Sequence, residues 1–98
     1  MQLLIHRRAE IAFRSLQKLE QKKISSAFNE LFATDRAVLF KNPKFYIIAS
    51  GFSGKKIFGF KGSSKLRLVL SFDNDTCTVE DIVNHDRLER LIAKGGQV

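Results

Sequence analysis

The sequence predicts an α+β fold of two layers, in the order β-α-α-β-β-β with a short C-terminal helix, the two helices packing on one face of an antiparallel sheet. Three observations predict it. Apolar residues recur at helical spacing in the first third of the chain, they recur at every second residue between Lys55 and Val83, and turn signals divide that second stretch into three. Helices with one apolar stripe and strands with one apolar face bury both by packing layer on layer. The 98 residues make a single domain, 1–98, long enough to bury roughly 60–70% of the surface its unfolded chain exposes.

Gln2 to Ile5 is a short apolar segment suited to a first strand. From Ala9 the period changes: Ala9, Ala12, Phe13, Leu16 and Leu19 keep helical spacing, with Glu10, Arg14, Gln17 and Lys18 on the wet side. Ile24, Ala27, Phe28, Leu31 and Phe32 form a second stripe, and the five-residue step from Leu19 to Ile24 breaks the phase between the two. That slip predicts a tight turn in Glu20-Gln21-Lys22-Lys23. Asp35 to Pro43 leaves the helical pattern and carries the turn signal Asn42-Pro43. Phe45-Tyr46-Ile47-Ile48-Ala49 leaves a short helix and an extended segment entering the sheet both open, and Gly51-Phe52-Ser53-Gly54 reads as a loop.

The meander follows. Ile57 to Lys61 puts Phe58 and Phe60 on one face and Gly59 and Lys61 on the other. Gly62-Ser63-Ser64 turns the chain into Leu66 to Phe72, where Leu66, Leu68, Leu70 and Phe72 share a face and Arg67, Val69 and Ser71 point away. Asp73-Asn74-Asp75 is a second turn, and Thr76 to Val83 is rich in β-branched residues that favour a pleated surface. Asp86 and Glu89 then have capping-box spacing, Leu88, Leu91 and Ile92 form a stripe, and Gly95 supplies a stop for the last helix. The apolar face of the sheet goes to the helices. The opposite face, with Lys61 and Arg67, is left for a ligand.

Charge placement suggests which ligand. The net charge is +7, yet no acidic residue lies between Asp35 and Asp73, an interval holding Arg36, Lys41, Lys44, Lys55, Lys56, Lys61, Lys65 and Arg67. The other nine Lys and Arg face ten Asp and Glu, so the basic field is regional. Lysines alone are ordinary solubilising surface, but an acid-free interval across two strands and their loops favours phosphates, with Lys41, Lys44, Lys55, Lys56 and Lys65 as nucleic-acid contacts. Phe45, Tyr46 and Phe52 interleave with these cations, either to stack on bases or to anchor core and loop. Cys77 is the single cysteine, which excludes an intrachain disulfide and a Cys-rich metal site and suits a small buried apolar position. His6-Arg7-Arg8 and Glu10 interrupt any leader-like apolar run, and no stretch approaches the roughly 20 apolar residues that span a bilayer. A reducing, cytoplasmic setting is expected, with no membrane partner.

The order strand, two helices, meander, together with the run GFSGKKIFGFKGSSKLRLVLSFDNDTCTVEDIVNHDRLERL, resembles the RelE/ParE superfamily of bacterial toxin-antitoxin toxins. The pieces that carry the likeness are the loop Gly51 to Gly54, the basic strand Lys55 to Lys61, Leu66-Arg67-Leu68-Val69, the acidic turn Asp73 to Asp75, the strand Thr76 to Val83 and the segment Asn84-His85-Asp86-Arg87. The resemblance implies one of two activities. RelE-like members are ribosome-dependent endoribonucleases (mRNA interferases) that cut messenger RNA, whereas ParE-like members inhibit DNA gyrase and cut nothing. A catalytically degenerate RNA-binding relative is a third reading. Members of both kinds are silenced by a cognate antitoxin.

Within the resemblance, Lys61 and Arg67 match the family's catalytic strand lysine and arginine, and Arg87 matches its late basic residue, although Asp86 stands where many members place that arginine. No cofactor or metal is implied. Metal-free cleavage uses the 2′-hydroxyl against the adjacent phosphate and needs a proton acceptor, a proton donor and cations to hold the extra negative charge. His85 is the imidazole nearest this cluster, a side-chain type suited to proton transfer near neutral pH; equally, it suits a helix-entry histidine bonding to backbone. The chain lacks the C-terminal tyrosine of several RelE-like enzymes, having no Tyr after Tyr46, and Phe58 stands where some members carry a second lysine.

Overall fold

The computed structural model describes the backbone of residues 2–52 and 55–95 and the side chains of residues 2–48 and 56–90. Among the described residues the alternating stretches form strands β1 (Gln2–Ile5), β2 (Phe45–Phe52), β3 (Lys55–Lys61), β4 (Leu66–Asp73) and β5 (Thr76–Asn84). They make one sheet in the order β1-β5-β4-β3-β2. β2 to β5 are an antiparallel meander, and β1 adds a parallel edge, with Gln2 opposite Thr76 and Ile5 opposite Val79. Phe45 to Ala49 is therefore extended, and the loop expected at Gly51 begins later, since Gly51 and Phe52 still belong to β2. Ser53 and Gly54 lie outside the described residues.

Helices α1 (Arg7–Arg14) and α2 (Lys18–Ala33) cover one face of the sheet. His6 opens α1 by accepting the Arg8 N–H on Nδ1 at 3.1 Å. The break between the helices falls at Ser15-Leu16-Gln17 and not at Glu20 to Lys23. Ser15 Oγ donates to the Ala12 carbonyl at 2.7 Å, and Gln21 Nε2 reaches back to the Phe13 carbonyl at 3.0 Å, so side chains satisfy carbonyls that a continuing helix would have used. Leu19 consequently sits in the first turn of α2 and is exposed, and Ile24, Ala27 and Leu31 are the residues of α2 that are buried. A short helix, α3 (Arg36–Leu39), lies in the segment expected to be irregular, capped by Asp35 Oδ1 accepting the Val38 N–H at 2.9 Å.

The core between the layers joins Ala9, Ile24, Ala27, Leu31 and Leu39 to Phe58, Phe60, Leu68, Leu70, Cys77, Val79 and Ile82. The sheet residues come from the face that alternation assigned to the interior: Phe60 opposite Leu68 opposite Ile82, and Phe58 opposite Leu70 opposite Val79. Cys77 is fully buried there. Ser71 departs from the expectation. A register shift between Val69 and Leu70 accompanies its burial, and its hydroxyl bonds Glu80 Oε2 at 2.6 Å.

At the far end of this core, Phe40, Phe45, Phe58 and Phe72 pack with ring centroids 5.1–6.1 Å apart, so Phe45 faces inward and is not free to stack on a base. Arg36 lies over the rings of Phe40 and Phe72 at 5.5 and 5.1 Å and donates to the Asn74 carbonyl. Asn74 accepts the positive φ of 55° that the two-residue β4–β5 loop imposes.

The last helix, α4 (His85–Gly95), returns against β2, β4 and β5. It starts on Asn84, whose Oδ1 accepts the Asp86 N–H at 2.8 Å; the cap is thus Asn84 rather than Asp86. Val83, in the row of Lys61 and Arg67, and Leu88 are both buried. The face opposite α1 and α2 is therefore shared between α4 and whatever the remaining surface binds. The side chains of Leu91 and Ile92 lie outside the described residues.

Candidate functional site

The pleat places Lys61 and Arg67 directly opposite one another on β3 and β4, side chains on the same face. The connection between them is held by its own hydrogen bonds. The Gly62 and Ser63 N–H groups both donate to the Leu66 carbonyl, at 3.1 and 3.2 Å. Ser63 is buried; its Oγ accepts from the Lys65 and Leu66 N–H groups at 3.3 and 3.1 Å and donates to Glu20 Oε2 on α2 at 3.0 Å. One turn is thereby tied to both layers.

That turn in turn fixes Arg67. Its Nη1 donates to the Ser63 carbonyl at 2.7 Å and to the Leu66 carbonyl at 3.0 Å, which leaves the rest of a half-buried guanidinium to face a ligand. Lys61 is exposed. Beside them opens a cleft of about 570 Å³, lined by Lys61, Arg67, Lys44, Tyr46, Pro43 and the turn residues Gly62, Ser63 and Ser64. Lys61 and Arg67, side by side on one face, can hold an anion between them. Lys44 shares its charge, because its Nζ stands 3.0 Å from Glu30 Oε1.

Tyr46 reaches the cleft from β2, where it pairs with Gly59. Its ring crosses over that glycine: a Cβ on Gly59 would stand 2.4 Å from Cζ and 2.6 Å from the phenol oxygen. Burial raises the pKa of the phenol; the Arg67 guanidinium opposes this by charge and by hydrogen bonding, and the Glu89 carboxylate adds to it. The phenol thus stays protonated at neutral pH. Nothing in the hydropathy pattern singles Tyr46 out from Phe45, but a glycine opposite an aromatic in a neighbouring strand is a legible pair once the register is known.

The remaining expected residues divide. His85 does not line the cleft; its N–H donates to the Lys65 carbonyl at 2.7 Å, which seats the start of α4 beside the turn, and its Nε2 lies 4.0 Å from Glu89 Oε1. Its Nδ1 is buried without a protein partner. Arg87 is exposed on α4 and does not line the cleft either. Lys41, Lys56 and Lys65 are exposed, and the side chain of Lys55 lies outside the described residues, as does that of Phe52. No helix among the described residues is long and apolar enough to cross a membrane.

No family model matches the chain, and no curated protein matches it. A solved structure does: the crystal structure of an archaeal RelE-RelB complex from Pyrococcus horikoshii OT3 superposes with a TM-score of 0.66 at 14% identity, over 88% of this chain and 96% of that one. The fold is RelE-like.

Proposed function

We propose that this chain is the toxin of a type II toxin-antitoxin pair and acts as a metal-independent, ribosome-dependent endoribonuclease. The observation that carries the reading is the Lys61–Arg67 cross-strand pair, held at a cleft by a turn bonded to both layers of a RelE-like fold. In the proposed reaction a messenger RNA phosphate sits against these two cations. The 2′-oxygen attacks phosphorus, the bond to the 5′-oxygen breaks, and Lys61 and Arg67 hold the negative charge that accumulates on the phosphorane; such a donor contributes on the order of 10²- to 10³-fold in rate. His85, at the start of α4 beside the turn, takes the role of proton carrier, and Arg87 on α4 meets the RNA backbone. Lys41, Lys44, Lys55, Lys56 and Lys65 supply the salt-dependent share of affinity.

A silencing partner belongs to the same proposal. Ile11, Leu19, Phe32, Val38, Phe40 and Ile47 are large apolar residues exposed on a chain of charge +7, a surface suited to an acidic segment that folds on contact. The solved relative is itself a RelE-RelB complex. The proposed site of action is the cytoplasm, where translating ribosomes are.

The test is induced expression of wild type and of the Lys61→Ala/Arg67→Ala variant. Wild type should arrest translation and leave new messenger RNA 5′ ends, and the variant should restore growth while remaining folded. A variant as toxic as wild type overturns the site. Intact messenger RNA with DNA damage would instead favour a ParE-like gyrase inhibitor.

A further inference from the structure

We propose that Tyr46 is a ligand-contacting residue of this cleft, its phenol hydroxyl donating a hydrogen bond to a phosphate oxygen held by Lys61 and Arg67. The inference rests on the reading of the cleft as an RNA phosphate site and adds a third donor to it. Three features of the geometry point there. The phenol oxygen lies above the backbone of Gly59, only two residues along β3 from Lys61 and on the same face, a separation of about 7 Å between backbone positions. A phosphate bound at the Lys61 ammonium comes within reach of the hydroxyl. Arg67, whose Nη1 is held on the Ser63 and Leu66 carbonyls, lines the same cleft as the phenol, so a phosphate on its free guanidinium edge meets the O–H as a further donor.

The absence of a side chain at Gly59 is what makes this placement possible. Any Cβ there would occupy the ring's position, so Gly59 and Tyr46 act as one unit that carries a β2 hydroxyl across β3 toward β4. Of the two serines that line the cleft, Ser63 has its proton committed to Glu20, and Ser64 is exposed on the turn. Glu89 of α4 is the acidic group that faces the phenol, and Lys61, Lys44 and Arg67 are the basic groups that share its cleft.

The composition provides a direct probe, because Tyr46 is the only tyrosine and the chain has no tryptophan. Intrinsic fluorescence excited beyond the phenylalanine absorption band therefore reports this side chain alone. Titration of the whole chain with inorganic phosphate should change that emission saturably, and Lys61→Ala should abolish the saturable part. In single-turnover cleavage of ribosome-bound messenger RNA, Tyr46→Phe, which keeps the ring over Gly59, should cut about 10- to 100-fold more slowly than wild type, the range expected for one hydrogen bond to a charged group. Emission that ignores phosphate, or that responds equally without Lys61, overturns the proposal whether or not the chain cuts RNA. Wild-type cleavage by Tyr46→Phe overturns it too. A saturable, Lys61-dependent signal from a chain that never cleaves RNA would remove the nuclease reading and leave the Tyr46–anion contact standing.

Discussion

Replacing Gly59 by Ala tests the geometry on which the cleft depends. The new Cβ would stand 2.4 Å from Tyr46 Cζ and 2.6 Å from both Cε2 and the phenol oxygen, all inside the closest approach of real carbon atoms, so the ring must leave. Overpacking costs about 1–3 kcal/mol when neighbours cannot yield. Tyr46 is half-buried and can swing outward, and alanine in a strand recovers about 0.5–1 kcal/mol over glycine, so the net cost is about 1–2 kcal/mol. With a urea slope of about 1–1.5 kcal/mol per molar for a chain of this size, the midpoint should fall by roughly 1 M in circular dichroism melts. The same substitution in a Tyr46→Ala background should cost nothing or stabilise slightly, because the obstruction is gone. An equal loss in both backgrounds would refute the contact and, with it, the route by which the hydroxyl reaches the cations.

Other expectations follow from the same contacts. Ser63→Ala removes a buried hydroxyl that bonds Glu20 and two backbone N–H groups; it should lower stability by about 1–3 kcal/mol and reduce cleavage, since the carbonyls that seat Arg67 move with the turn. Arg67→Lys should keep the charge but not the paired carbonyl contacts made by Nη1, and should recover only part of the activity lost in Arg67→Ala. Cys77 gives an alkaline signature. Burial pushes its thiol from 9.0 up to about 12, so its contribution to stability is intact below pH 9 and is lost as pH rises toward 12. Between pH 8 and pH 10 wild type should lose about 1.4 kcal/mol more than Cys77→Val in denaturant melts, and equal losses would contradict the burial.

The parts of the fold that were legible in the sequence are those whose physics is local to a strand. Period-two alternation put Phe58, Phe60, Leu68 and Leu70 inside and Lys61 and Arg67 on the opposite face, and the register bears this out. The helix break was hidden because Ser15 and Gln21 end α1 by reaching for carbonyls, leaving no Gly or Pro as a mark. β2 was ambiguous because Phe45 to Ile48 is apolar throughout, one side meeting the aromatic cluster and the other carrying Tyr46 to the cleft. Charges gave a regional field but not its partners: Arg36 is spent on Phe40, Phe72 and Asn74, and Lys44 is shared with Glu30, pairings that, Phe40 apart, are made across 14 or more residues of chain. The return of α4, which brings Glu89 toward Tyr46 and seats His85 by the turn, is a tertiary event with no periodic trace.

The most direct measurement is primer-extension mapping of a defined messenger RNA on purified ribosomes, with wild type, Lys61→Ala/Arg67→Ala and Tyr46→Phe side by side. If the cleft is a phosphate-cleaving site, wild type should leave discrete new ends that require the ribosome, the double variant should leave none, and Tyr46→Phe should leave the same ends more slowly. Full-length messenger RNA after incubation with folded wild-type protein, or ends made equally well by the double variant, would contradict the central claim.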